Sequence, residues 1–250
     1  MALLDLTLDS LRAARQRAYG VHNWDDLLEK WVRSPAFLRP SMNTLRRQVS
    51  SVVRDRRLLF IHVPKNGGTS VSTALYGGMM RHKTALFYQS VDPDFFKEAN
   101  PFATLRDPFE RFISAYWFIR NGGGSDIKLG AWFAISCREI ESVDDLLSHI
   151  ESNRRDIFSL DHVLRPQVWY LRDAQNRLII EQLFVLGRDD RQLADFLSEY
   201  GVNNIPLINT TVKQEIILTQ SQRNRILAIY ADDFELLRGT LPLSAPGKRS

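Results

Sequence analysis

Residues 64–70 read Pro-Lys-Asn-Gly-Gly-Thr-Ser, a composition suited to holding an anion. Gly67 and Gly68 let the backbone approach an oxyanion closely. A helix starting there aims N–H groups and the positive end of its dipole at the loop. Thr69 and Ser70 add hydroxyl donors, and Lys65 adds a mobile full charge. Lys65, Asn66, Gly67, Gly68, Thr69 and Ser70 together describe a phosphate or sulfate site. The loop is not a Walker A motif, in which Lys stands directly before the hydroxyl residue. Here Lys65 precedes the glycines, which counts against an ATP or GTP phosphotransferase.

A second group lies in Arg106-Asp107-Pro108-Phe109-Glu110-Arg111-Phe112-Ile113-Ser114-Ala115-Tyr116. Arg106 ends an apolar run, where its guanidinium fork can take a phosphate in bidentate fashion. Ser114 falls three residues beyond Arg111, on the same helical face. Arg111 either ties its helix to Asp107 or the sheet or touches ligand, and the residues leave both open. Tyr116 reads as packing. Two anion sites, each at a strand end, suit a nucleotide phosphorylated at both ends.

These segments carry a resemblance. His62-Val63-Pro64-Lys65-Asn66-Gly67-Gly68-Thr69-Ser70 resembles the 5′-phosphosulfate loop, commonly PKTGGTS, of sulfotransferases that use 3′-phosphoadenosine 5′-phosphosulfate (PAPS). The heparan sulfate 2-O-sulfotransferase-like carbohydrate branch is the nearest in look. Asn66 departs from the usual Thr. The run from Arg106 to Tyr116 matches every specified position of the family's 3′-phosphate motif, R-[DN]-P-x-x-R-x-x-S-x-Y. Arg81-His82-Lys83-Thr84-Ala85 resembles its H-x-T-A segment, which implies that His82 is the general base on the acceptor side. Imidazole suits that task because its ordinary pKa lies near neutrality. His162 is a weaker candidate, as is His62, which reads as packed against the sheet. Arg165–Leu171, Leu207–Thr211 and Ile229–Phe234 extend the resemblance over residues 58–237. It implies a P-loop-like three-layer fold, PAPS as co-substrate and no metal.

The positioning elements follow from periodicity and punctuation. Leu58–Val63 is a nearly continuous apolar run, as in a strand buried on both faces. Pro64–Gly68 form a turn, and Thr69–Leu75 a helix stopped by Gly77-Gly78. Asp92-Pro93 opens a short helix through Ala99, and Pro101–Leu105 is the second strand. Asp107 as N-cap, Pro108 at the first helical position and Glu110 three residues after the cap start a helix to Arg120. Asn121–Gly124 are a loop. Ser142 caps a helix to about Ile150, and Gln182–Leu186 is the third strand. A helix follows over 190–200, and Thr219 with Gln222 caps a last one ending near Leu237. Alternation of strand and helix predicts a mostly parallel sheet with helices on both faces, and ligands in such folds bind beyond the carboxyl ends of the strands. Residues 1–55 predict a helical extension, with Leu4, Leu8, Leu11 and Ala14 on one face. Residues 56–250 are the sulfotransferase-like domain.

Composition sets outer bounds. With 250 residues, 44% of them hydrophobic, the chain can build one substantial core. A net charge of +4 from 33 basic and 29 acidic residues is too small and dispersed to imply nucleic-acid binding, but it suits anionic ligands. The single cysteine, Cys137, excludes an intramolecular disulfide and reads as a small hydrophobe. Asp5 and Asp9 interrupt the N-terminal apolar residues, so no signal peptide is expected. No apolar stretch approaches the roughly 20 residues that span a bilayer. A soluble, cytoplasmic protein is expected. No HExxH, EF-hand or Cys/His cluster points to a metal. Trp117, Trp132, Trp169 and Tyr170 could stack on a sugar, though such aromatics are more often core, and Trp117–Cys137 is the expected acceptor wall.

The reaction expected is in-line attack by an acceptor hydroxyl on the sulfur of PAPS, and the resemblance implies a carbohydrate or glycoconjugate as the acceptor. Its products are a sulfate ester and adenosine 3′,5′-bisphosphate. His82 takes the proton, and Lys65 offsets charge on the bridging oxygen. Lys65, Asn66, Gly67, Gly68, Thr69, Ser70, Arg106 and Ser114 hold the nucleotide. The alternatives are a nucleotide kinase-like phosphotransferase and a non-catalytic nucleotide-binding protein.

Overall fold

The apolar runs become neighbouring strands. The computed structural model describes residues 18–21, 24–35, 45–47, 49–124, 128–129, 131–206 and 215–240. Strands β1 (Leu58–Ile61), β2 (Asn100–Leu105) and β3 (Gln182–Val185) form a parallel sheet in the order β1-β2-β3. Leu58 pairs with Asn100, and Phe102 with Gln182. Pro101 is tolerated in the middle strand for a specific reason. Asn100 N–H donates to Arg57 on the β1 side, so the missing N–H of Pro101 faces the β3 side, where pairing begins only at Phe102.

Helices cover both faces, which is why the strands read as unbroken hydrophobic runs. Leu59, Ile61, Ala103, Leu105, Leu183 and Val185 share a core with α1 (Trp24–Arg33), α2 (Ser51–Arg56), α4 (Ala85–Val91) and α5 (Pro93–Glu98). The alternate residues Leu58, Phe60, Phe102 and Phe184 meet α3 (Gly68–Tyr76) and α9 (Asp190–Ser198). A further core lies among α6 (Pro108–Arg120), α7 (Ala131–Ser136), α8 (Val143–Asn153) and α10 (Gln220–Ile229). The fold is thus α/β with a small parallel sheet between helical layers.

Capping residues set the helix starts. Asp107 accepts from Phe109 N–H at 2.9 Å and Glu110 N–H at 3.1 Å. Ser142 with Asp145, and Thr219 with Gln222, close reciprocal capping boxes. Glu110 does not close one, because its carboxylate takes the Arg106 fork instead. The last expected helix is two. Tyr230 leaves helical geometry at φ −112°, ψ 30°, with its hydroxyl donating to Leu164 O at 2.9 Å, and α11 (Ala231–Gly239) follows. Leu207–Thr211, Trp132 and the apolar face of residues 4–14 lie outside the described residues and side chains.

The described part of the N-terminal segment is fastened to the rest by buried polar contacts. Glu29 accepts from Thr84 N–H and Oγ1–H, both at 2.8 Å, and Asp26 takes the Arg165 fork at 2.5 and 2.8 Å. Among the described residues no helix is long and apolar enough to cross a membrane.

Candidate functional site

The loop between β1 and α3 sits at the carboxyl end of the sheet, as the sequence predicts. Gly67 adopts φ +67° as N-cap of α3 and has no side chain to cap it; Ser70 N–H donates back to Gly67 O at 3.2 Å, and the amides before it open onto the loop. Lys65 holds φ +68°, a left-handed conformation that non-glycine residues adopt sparingly. Its ammonium lies over the Phe118 ring at 4.1 Å. Thr69 and Ser70 are half-buried at the start of α3. Gly68 is required by packing: a Cβ there would lie 2.1 Å from His62 Cδ2.

Asn66 is turned inward. It is fully buried, and its amide donates to Thr104 O at 2.8 Å and to Gln167 Oε1 at 2.7 Å, while Thr104 Oγ1–H donates to its carbonyl. The side-chain donors expected to meet a ligand therefore lace the loop to the end of β2. Its Oδ1 remains buried without a hydrogen-bond partner.

Arg106 follows β2 and faces the same edge. Its Nε and Nη2 both donate to Glu110 Oε2 at 3.0 Å, so the fork is already formed around a carboxylate, the shape of the oxyanion it is expected to bind. Ser114 is buried one turn beyond Arg111. Arg111, the ambiguous residue, is also buried, and its Nε donates to Pro64 O at 3.0 Å. It ties α6 to the first loop, and its Nη2 is left buried without a partner.

Gln167 holds the two loops together. Its Oε1 accepts from Asn66 Nδ2 and from Arg106 N–H at 3.0 Å, while its Nε2 donates to Arg106 O at 3.0 Å. The backbone N–H groups of Gln167 and Val168 donate to Asp233 of α11, each at 2.9 Å. Burial, against the Arg111 charge and these bonds, raises the Asp233 carboxyl above its ordinary range. Gln167 and Asp233 were recognisable only as members of segments resembling a family. Nothing in their type or spacing marks them as a latch.

Three histidines from separate segments cluster beside the loop, His82 stacked on His162 and tilted by 54° against His62. The ring centroids of His62 and His82 are 4.1 Å apart, and those of His82 and His162 are 4.8 Å apart. His62 Nδ1 meets Met80 O at 2.8 Å, and His82 Nδ1 meets His62 O at 2.9 Å. A carbonyl only accepts, so Nδ1 carries the hydrogen in both rings and Nε2 keeps its lone pair. Burial is the main cause that lowers His62 to about 4. Burial, together with His62, His162 and Lys65, pushes His82 well below its ordinary value. Both rings are therefore neutral near pH 7. Tyr116 and Tyr170 are packed, donating to Glu141 O and His162 O. Trp169 packs between Arg33 and Arg165. Cys137 is buried, and burial pushes its thiol up to about 12.

No protein-family model matches this chain, and neither a curated protein nor a solved structure matches it.

Proposed function

We propose that this chain is a PAPS-dependent sulfotransferase that forms a sulfate ester on an acceptor hydroxyl, with a carbohydrate as the acceptor class. A P-loop-like arrangement of the sheet and a cytoplasmic setting belong to the same reading. One observation carries it: the uncapped start of α3 and the Arg106 fork are two anion-binding elements held at a fixed spacing by the buried Gln167 amide. A nucleotide phosphorylated at both ends has two anionic groups, one for each of these elements. The residues fit that ligand in a second respect, since Arg111 keeps a buried Nη2 without a partner directly behind the first loop.

PAPS supplies a sulfuryl group activated by its anhydride link to phosphate. The chain supplies the rest. The α3 amides and the hydroxyls of Thr69 and Ser70 cradle the 5′ end. Arg106 and Ser114 hold the 3′-phosphate. Lys65 offsets the charge that develops on the departing phosphate, and preorganised groups do so without reorganisation. The histidine stack receives the acceptor's proton, the sequence expectation for the ring being His82.

Calorimetry with adenosine 3′,5′-bisphosphate, AMP and ADP tests the nucleotide. The bisphosphate should bind at least about tenfold more tightly than either, because a charge-assisted phosphate contact contributes roughly 1.5–3 kcal/mol. Mass spectrometry of a saccharide panel incubated with PAPS then reads the gain of one sulfate. Equal affinity for the three nucleotides would overturn the reading.

A further inference from the structure

The stack contains one feature that the expected base, His82, lacks. Asp161 Oδ1 lies 2.9 Å from His162 Nδ1, and Asp161 also accepts from Val163 N–H at 3.0 Å. Burial pushes the Asp161 carboxyl up, but His162, the Val163 bond and Arg165 outweigh it and hold the carboxyl below its ordinary range. It is therefore a carboxylate near neutrality. A carboxylate only accepts, so His162 carries its hydrogen on Nδ1 and leaves the Nε2 lone pair for an incoming proton. The backbone at His162 is held by the Tyr170 hydroxyl, 2.7 Å from its carbonyl oxygen. The His162 side chain is 33% exposed, so an acceptor can reach it.

We infer that His162, oriented by Asp161, is the base that takes the acceptor's proton, and that His82 is the neutral ring that seats it. The inference rests on the sulfotransferase reading. Its physical basis is where a positive ring can be tolerated. An imidazolium at His82 would have a carbonyl on Nδ1, and the charges that act on it most, those of His62, His162 and Lys65, all oppose a positive ring. An imidazolium at His162 forms against Asp161, as in a histidine–carboxylate pair that fixes tautomer and orientation and stabilises the charged ring. The charged and titratable groups around that pair include His62, His82, Arg165, Tyr170 and Cys137. The step balances. The acceptor O–H bond breaks and its proton moves to His162 Nε2. The oxygen's electron pair forms the new O–S bond. The bond from sulfur to the bridging oxygen breaks, and its pair leaves with the nucleotide phosphate.

Two measurements test it, the first without turnover. Diethyl pyrocarbonate acylates neutral, accessible imidazole nitrogens, and peptide mass spectrometry reads the site. His162 should be modified first of the three rings, and Asp161→Asn should slow its modification relative to the His149 peptide. Faster modification of His82 than of His162 would overturn the inference, whatever the reaction. In the second, turnover of PAPS with the saccharide found above is compared among variants whose melting temperature and bisphosphate affinity match wild type. His162→Ala should lower turnover by roughly 10²–10⁴-fold, Asp161→Asn by at least about tenfold, and His82→Asn by less than either. Near-normal turnover in a folded His162→Ala protein overturns the inference while leaving the sulfotransferase reading standing. Failure of wild type to bind the bisphosphate sinks that reading instead.

Discussion

If Arg106 holds the 3′-phosphate as proposed, Glu110 sets how strongly it can do so. Its carboxylate occupies the guanidinium fork from an exposed position one helical turn away, where it competes with an incoming phosphate and repels it. An exposed ion pair contributes about 0.2–1 kcal/mol. Glu110→Gln should therefore tighten adenosine 3′,5′-bisphosphate binding by roughly two- to fivefold and leave AMP binding unchanged. Titration calorimetry checks this, and weaker binding would mean that Glu110 positions the fork rather than competing for it. A second residue-scale consequence concerns acid. The folded state holds His62 at about 4, against 6.5 when unperturbed, so between those values the unfolded chain takes up a proton that the folded chain refuses. Stability should accordingly rise with pH through that window and fall as pH drops from 6.5 toward 4, by up to about 3 kcal/mol from this ring. His82 acts in the same direction. Urea denaturation at several pH values should show a shallower dependence for His62→Gln, and an unchanged slope would remove His62 as its source.

At the scale of elements, the two loops are joined through the short turn bearing Gln167. Gln167→Leu removes one of the two acceptors of Asn66 Nδ2, which keeps Thr104 O, and the partners of both backbone groups of Arg106, each loss worth about 1–3 kcal/mol when the group is left buried and unpaired. Gln167→Glu keeps an acceptor and loses the donor. The preference for the bisphosphate over AMP should collapse to within about threefold in the Leu variant and survive in part in the Glu variant, since preorganised spacing is what the bisphosphate exploits. Retention of the full preference in folded Gln167→Leu would show that the loops keep their spacing unaided. Much at this scale was legible in advance. Apolar runs marked β1, β2 and β3, and Asp107, Ser142 and Thr219 marked helix starts, because strand burial and capping act over a few neighbouring residues. The latch was not legible, since Asn66, Gln167 and Asp233 meet only after the chain has folded. The same holds for Glu110, whose capping position was readable but whose choice of Arg106 depends on where β2 ends. The break at Tyr230 was hidden as well, because a tertiary hydrogen bond to Leu164 accompanies it.

Over the whole molecule, α1 and α11 both fasten onto the segment that carries the 3₁₀ turns Ile157–Ser159, His162–Leu164 and Gln167–Tyr170. Asp26 grips Arg165 from α1, and Asp233 holds the N–H groups of Gln167 and Val168 from α11. The sheet beneath joins residues far apart in sequence, Leu58 with Asn100 and Phe102 with Gln182. Long-range parallel pairing of this kind is slow, because chain closure must precede the contacts that reward it. The order of residues along the chain then acquires a meaning in time. During synthesis Lys65 and Arg106 emerge well before Gln167, and Asp233 follows all three. At about 5–20 residues per second, roughly ten to thirty seconds separate the appearance of the first loop from that of the carboxylate that seats the latch. The proposed anion site is accordingly completed late in synthesis, and a nascent chain stalled before Asp233 carries both loops without the carboxylate that seats Gln167 between them.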